Sequence, residues 1–312
     1  MSVTISGTTG ITLANQFDSA SSFGFKNRII NGQMQIAQRA TSATITAGST
    51  IAAGYSTVDR FYVYCTGANV TAAQVAGSGA TKNRLQITGA ASVTAIGVGQ
   101  RIEALNSYDL AGSTATLSVD ISNNLLTSVT WTAYYANTTD TFGTLASPTR
   151  TQIATGTFTV TSTLTNYNAQ ISIPAAATTG IEVVFTVGAQ TSSIWVIGNV
   201  QLEKGSTATS FDYRPYGTEL ALCQRYYQFD TTTTPFIGNT TSGSTYGGNV
   251  FFLVSMRAAP AVTQTHSTSS GFPGTAPTSG EITVAKFFST KTSDGTASGS
   301  FYRMTWVATV EL

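Results

Sequence analysis

Charge is what this sequence has least of. Lys, Arg, Asp and Glu make up 9% of the 312 residues, against about 25% in an ordinary globular protein. The formal net charge is +1, so the basic field of a nucleic-acid binder is missing. Reactive side chains are equally scarce, with one histidine and two cysteines. Cys65 and Cys223 form neither a metal-ligand spacing nor a disulfide framework, and the expectation is two buried free thiols. No stretch approaches the roughly 18 apolar residues of a membrane helix. Met1 to Gln16 lacks the basic start and continuous apolar run of a signal peptide. These absences predict a chain folded in a cytoplasm, without membrane insertion.

The same scarcity argues against catalysis. His266, in THSTSSG, would have to serve any Ser-His-Asp triad, yet no nucleophile elbow accompanies it. It reads as an exposed loop residue. A glycosidase needs two carboxylates flanking a sugar. Glu103, read as mid-strand between Ile102 and Leu105 beside Arg101, is the acid best placed for such work. A salt bridge or an exposed strand position is the simpler role for it. There is no phosphate loop and no metal cluster, so no cofactor is expected and the chain is read as not an enzyme.

What is present is Thr, Ser, Asn and Gly, with 41% hydrophobic and 10% aromatic residues. Thr favours strands; Gly, Asn and Ser favour turns. Strands come at sandwich-like spacing from Arg28 onward. Ile29-Ile30 and Met34 to Ile36 flank Asn31-Gly32, a type I′ hairpin signal. Phe61, Val63 and Cys65 alternate, as do Leu117, Val119 and Ile121, and Ile181, Val183, Phe185 and Val187. Val129, Trp131, Ala133 and Tyr135 share a face. About nine strands or more result, enough for two packed sheets, and no repeat of 20–50 residues is present.

The stretch from Ile194 to Tyr227 organises the rest. Ile194, Val196, Val200 and Leu202 read as the inner face of a closing strand, with Trp195, Ile197, Asn199 and Gln201 opposite. Lys204-Gly205 ends it. Phe211, Tyr213 and Tyr216 surround Arg214-Pro215. Leu220, Cys223 and Tyr227 then follow at helical spacing, with Thr218 the candidate N-cap. After this joint, residues 231–248 read as a loop, Val250, Phe252 and Val254 as a strand, and Thr265 to Gly280 as a polar loop. Ile282 and Val284 open the next strand. The last runs from Phe301 to Leu312, with Tyr302, Met304, Trp306, Ala308, Val310 and Leu312 on one face.

GNVQLEKGSTATSFDYRPYGTELALCQRYYQ, together with NRIINGQMQIAQRAT, YSTVDRFYV and GQRIEALN, resembles segments of tail-fibre and related structural proteins of tailed bacteriophages. The resemblance covers residues 25 to 230. It implies a jelly-roll β-sandwich similar to carbohydrate-binding modules, and it carries no motif that fixes chemistry. The expected fold is all-β: an attachment arm (1–24), a jelly roll (25–213), a helical joint (214–230) and a smaller C-terminal β tip (231–312). The implied protein is a virion component, a homotrimeric tail fibre that adsorbs to a host-surface glycan. The alternative is a head fibre, capsid decoration or baseplate subunit, and a polysaccharide-degrading enzyme is the third reading. Similar jelly rolls hold a structural calcium ion, for which Asp59, Asp109, Asp120 and Asp212 are the candidate ligands, though no spacing singles them out.

Glycan contact calls for aromatic faces beside amides and hydroxyls. Tyr108 with Asn106, and Tyr134 and Tyr135 with Asn137, offer these at strand ends. In the tip, Phe236, Asn239, Tyr246, Asn249 and Phe272 are read as loop-borne, with Tyr246, Asn249 and Phe272 the leading candidates. The plainer alternative is that these aromatics simply pack on the sandwich.

Overall fold

The computed structural model describes residues 3–6, 10–13, 25–48, 54–78 and 81–312. Of the arm expected over 1–24, β1 (Val3–Ser6) and β2 (Gly10–Leu13) pair as an antiparallel hairpin, Val3 opposite Leu13. The rest of that arm lies outside the described residues. Two compact units divide the chain, Met1–Glu219 with Leu312, and Leu220–Glu311.

The first unit is all-β and built on eleven further strands. In chain order these are β3 (Ser42–Ile45), β4 (Tyr62–Thr66), β5 (Val70–Ala76), β6 (Asn83–Thr88) and β7 (Ala95–Ile102). After a four-residue helix α1 (Ala104–Ser107) come β8 (Thr114–Asn123), β9 (Ser128–Ala136), β10 (Arg150–Thr159), β11 (Thr165–Ser172), β12 (Ile181–Val187) and β13 (Ile194–Lys204). A five-stranded sheet runs β10-β9-β12-β7-β4, and a six-stranded sheet runs β11-β8-β13-β6-β5-β3. Every neighbouring pair is antiparallel. The alternating residues meet between the sheets: Val63, Val98, Trp131, Val183 and Phe185 from one, Leu85, Leu117, Val119, Ile121 and Trp195 from the other. Each such side chain contributes about 1.5–3 kcal/mol by leaving water. Cys65 belongs to this core as a buried thiol, and Cys223 is also buried; neither is in a disulfide.

The closing strand departs from strict alternation. Its core residues are Trp195 and Ile197, then Val200 and Leu202. The pairing with β8 slips between Gly198 and Gln201, where Asn199 takes φ 47°. This bulge reverses the parity of the strand, so Ile194 and Val196, expected inside, are only half-buried. Beyond the bulge, Gln201 and Glu203 hold the following segment. Asp212 N–H donates to Gln201 at 2.8 Å, and Thr209 N–H to Glu203 at 2.9 Å.

Residues 29–36 form no hairpin strands. Asn31 has φ 60°, and its side chain donates to the Ile36 and Asp59 carbonyls and accepts from Gln35 and Ile36 N–H. Gly32 serves close approach, since a Cβ there would stand 2.1 Å from the Val200 carbonyl oxygen. Asn27 bridges the same region to β13, accepting from Leu202 N–H at 3.0 Å. The segments that carry the phage resemblance are thus mutual tethers.

The nine-residue helix α2 (Tyr216–Gln224) follows. It begins before Thr218, which therefore lies inside the helix and does not cap it. No helix among the described residues is long and apolar enough to cross a membrane.

The second unit contains β14 (Tyr227–Thr240), β15 (Thr245–Phe251), β16 (Ala261–Ser270), β17 (Thr278–Gly280), β18 (Lys286–Thr292) and β19 (Ala297–Thr309). They form two three-stranded sheets, β14-β19-β16 and β15-β18-β17. Val250, Met256, Phe287, Met304, Trp306 and Ala308 make its small core. Of the face read for the last strand, Tyr302, Met304, Trp306 and Ala308 are buried, while Val310 and Leu312 are half-buried and lie beyond the strand's end at Thr309. The two expected loops are largely strands: β14 and β15 occupy most of 231–248, and β16 and β17 much of 265–280. Their Thr, Ser and Gly compositions hid ladders that backbone pairing and hydroxyl bonds sustain. Ile282 and Val284 precede the strand they were expected to open, which starts at Lys286.

Candidate functional site

The outer face of the five-stranded sheet gathers the aromatic and charged residues that the core leaves out. Register sets three rows across it. Tyr134, Glu182 and Arg101 form one, Thr132, Val184, Gly99 and Tyr62 the next, and Thr130, Thr186, Gly97 and Tyr64 the third. The glycines make room for the tyrosines. A Cβ on Gly99 would meet the Tyr62 ring at 2.3 Å, and one on Gly97 the Tyr64 ring at 2.1 Å. Both rings therefore lie across β7, stacked with centroids 6.5 Å apart and planes 24° from parallel.

At one end a charged network anchors these rings. The fully buried Glu182 accepts from Arg101 Nε and from Tyr62 OH, each at 2.8 Å, and pairs with Arg150. Arg101 also donates to the Gly143 carbonyl at 3.1 Å. The Arg150 guanidinium carbon lies 4.0 Å from the Tyr134 ring centroid, a cation–π contact. Burial pushes the Tyr62 phenol well above its usual range, with Arg150 and Arg101 opposing. The Tyr64 phenol is raised by the same cause, again opposed by Arg150. Both hydroxyls stay protonated at neutral pH, and that of Tyr62 donates to Glu182.

At the other end the face opens into a hollow of ≈ 500 Å³ lined by Ala95, Leu126, Ser128, Thr130, Thr186 and Gly188. On the same face, half-buried Tyr64 shares the row of Thr130 and Thr186, and half-buried Tyr134 stands in the row at the charged end. Such a surface can stack on a sugar ring and exchange hydrogen bonds with its hydroxyls.

Of the residues expected from sequence, Tyr134 lies in this face. Tyr135 points the other way and packs against the core. Tyr108 is 60% exposed in a short 3-10 turn after α1, apart from these rows. Tyr246 and Asn249 stand on β15, and Phe236 and Asn239 on β14, rather than in loops. Asn249 is exposed and accepts from Lys286 at 2.8 Å. Phe272 does follow a strand end, but only 5% of it is exposed, and it meets Tyr302 edge-on at 5.2 Å. Phe236, Tyr246 and Phe272 make a packed trio with centroids 4.8 to 6.1 Å apart.

Tyr62 and Tyr64 were missed, although the signal was there. Tyr62-x-Tyr64 and Gly97-x-Gly99 are two period-two pairs that become one platform once their strands are neighbours.

Glu103 is not mid-strand. It follows β7, is buried, and its carbonyl accepts from Ser107 at 3.0 Å. His266 sits on β16, with Nδ1 3.2 Å from Lys291 Nζ. The four candidate calcium ligands are dispersed. Asp59 meets Gln38 and Arg39, Asp109 meets Arg28, Asp120 meets Asn199 and Arg84, and Asp212 meets Asn27. Among the described residues no three of His, Cys, Asp and Glu gather to hold a metal ion.

The fold and face define a two-unit β-sandwich protein with an aromatic, hydroxyl-lined outer groove. No family model and no curated protein matches the chain. Solved structures match at low identity. The enzymatically active domain of bacteriophage CBA120 tailspike protein 4 is 15% identical, over 58% of this chain and 22% of that one, with TM-score 0.35. A family 4 carbohydrate-binding module is 14% identical, over 56% and 98%, with TM-score 0.37. The C-terminal family 22 carbohydrate-binding module of Clostridium thermocellum Xyn10B is 14% identical, over 62% and 100%, with TM-score 0.33.

Proposed function

We propose that this chain is a non-catalytic glycan-binding protein of a phage virion, and that the outer face of the five-stranded sheet is its binding surface. The observation that carries the reading is that two half-buried tyrosine rings, Tyr64 and Tyr134, stand on the same sheet face as a hollow whose lining includes Ser128, Thr130 and Thr186. The phage context rests on the sequence resemblance in residues 25–230, and a trimeric tail fibre is the assembly that this context favours. Exposed apolar side chains in the second unit support self-association: Phe229, Ile237, Phe251 and Leu253 are 42%, 71%, 67% and 79% exposed. In this reading residues 1–24 attach the chain to the particle.

Electron micrographs of particles labelled with antibody against this chain, together with binding of the purified protein to host cells, test the reading. Label at the tail and saturable cell binding are expected. Label on the head without cell binding would favour a decoration or head-fibre role instead. Release of reducing ends from host polysaccharide would contradict the non-catalytic reading.

A further inference from the structure

The single histidine of the chain faces a buried lysine across the second unit. His266 Nδ1 on β16 lies 3.2 Å from Lys291 Nζ on β18, and Lys291 is 5% exposed. Both members of this pair also touch the segment 271–277, which joins β16 to β17. Lys291 donates to the Thr275 carbonyl at 2.5 Å. Gly274 lies against the opposite edge of the imidazole, where a Cβ would stand 3.9 Å from Cδ2 and from Nε2. The segment is fixed separately at its ends. The Ser269 hydroxyl donates to the Phe272 carbonyl at 2.8 Å and the Ser293 hydroxyl to the Gly271 carbonyl at 2.7 Å, while Phe272 and Pro277 are buried. Its middle, Gly274 to Ala276, is exposed and reaches the unit through the His266–Lys291 pair.

An ammonium only donates, so Nδ1 must accept, and the imidazole must be neutral with its proton on Nε2. Protonation places an N–H on Nδ1 as well, aimed at the ammonium, and sets two positive charges face to face. Few groups can soften that conflict. Lys291 is the charge facing His266 from β18, and Asp294, in the turn after β18, is the acid acting on Lys291. From β19 comes the Tyr302 ring, 5.9 Å from Lys291 Nζ, its phenol kept protonated by burial. The cross-strand neighbour of His266 on β19 is Met304, and Arg303 alternates to the other face of that sheet. The segment 271–277 carries no titratable side chain.

We propose that His266 and Lys291 form an acid-released latch on the strap 271–277. Neutral His266 keeps the strap closed. Protonated His266 drives Lys291 off Thr275 and frees Gly274 to Ala276, while β16, β18 and β19 stay paired. Burial first, and Lys291 second, hold His266 below the usual histidine range, so the proton is taken up more readily once the pair has separated, and acid favours the open strap. The latch is independent of the glycan-binding face of the first unit.

The test uses the full chain with a nitroxide attached through Ala276→Cys, an exposed strap position. Cys65 and Cys223 are buried and stay unlabelled in the folded chain. Spin-label spectra are recorded between about pH 7.5 and about pH 5, either side of the ordinary histidine value. The label should be restrained at the upper end and tumble several-fold faster at the lower one. The same label on β16 through Thr263→Cys, also exposed, should not change. In the His266→Gln background the strap label should lose its pH dependence. Should that variant fail to fold, the imidazole of the native chain decides: with one histidine, its magnetic resonance titration is unambiguous, and its midpoint should coincide with that of strap release. A strap label insensitive to pH, one that changes together with the β16 label, one that still responds in folded His266→Gln, or a midpoint apart from the histidine titration overturns the latch.

Discussion

Tyr64 occupies the space that a side chain on Gly97 would need. A Cβ at Gly97 would lie 2.1 Å from the ring, so the ring rests against backbone and presents its other face outward. Its neighbour repeats the arrangement over Gly99, with one difference: Tyr62 is buried and tied by its hydroxyl to Glu182, while Tyr64 is half-exposed.

That difference predicts unequal outcomes for Gly97→Ala and Gly99→Ala. In the first, Tyr64 swings out, costing about 1 kcal/mol of stability and most of the glycan affinity. In the second, Tyr62 has nowhere to go, and overpacking costs about 1–3 kcal/mol or more. Urea denaturation midpoints measure both. Equal losses would mean that the two rings are equally fixed.

Glu182→Gln removes the negative charge beneath the groove and leaves two buried or half-buried guanidinium groups facing a neutral amide. Breaking a buried pair in this way costs about 3–5 kcal/mol. Thermal melting of the first unit should drop accordingly. A melt unchanged within error would show the ion pairs to be energetically idle.

In the second unit, Phe272→Ala and Asn249→Ala separate packing from contact. Phe272 fills a buried aromatic trio, and its truncation should cost about 3–5 kcal/mol. Asn249 is exposed, and its loss should stay within about 0.5 kcal/mol. Weaker glycan binding by either variant with melting preserved would move the binding surface to this unit.

The second unit should weaken in acid. Its His266 is held below the usual histidine range by burial and then by Lys291, and Lys291 is itself lowered by burial, with Asp294 opposing. For a base lowered on folding, the unfolded chain binds more protons, so stability falls as pH drops. The His266 contribution is present above the unfolded value of about 6.5 and fades as pH falls through the lower folded value. The Lys291 contribution falls over the alkaline range in the same direction. Asp230, lowered by hydrogen bonds from Thr233 and Thr232, adds a second loss in stronger acid, as pH falls through its folded value. Melting of His266→Gln across pH 4.5–7.5, a window set around that roughly 6.5 reference, should show a flatter slope than the native chain. An unchanged slope would exclude His266 as its source.

Much of the architecture was legible because strands packed on one face alternate. Leu117, Val119 and Ile121, the β12 residues and the inward face of β19 all follow that pattern. Two features escaped it for physical reasons. The bulge at Asn199 reverses parity, and no local composition announces it. Strands β14 and β16 are rich in Thr and Ser, so periodicity is faint where pairing with β19 supplies the order. The groove was legible only in Tyr134. Tyr62, Tyr64, Gly97 and Gly99 become one surface through strand neighbours that a single sequence does not specify, and Glu182 reads as an ordinary outward residue until Arg101 and Arg150 are beside it.

Mass in solution tests the assembly. Light scattering of the purified chain should give three times the 32.5 kDa subunit. Replacing Ile237 and Leu253 by Ser should lower that mass without unfolding either unit. A stable monomer of the native chain at micromolar concentration would contradict the trimer.

The central claim is that the outer face of the five-stranded sheet binds glycan. The measurement that tests it most directly is a glycan array probed with the native chain and with Tyr64→Ala and Tyr134→Ala, each checked for native melting. Aromatic stacking is lost in these variants, so signal on every glycan the native chain binds should fall at least tenfold, about 1.4 kcal/mol. Undiminished binding by both folded variants would contradict the account.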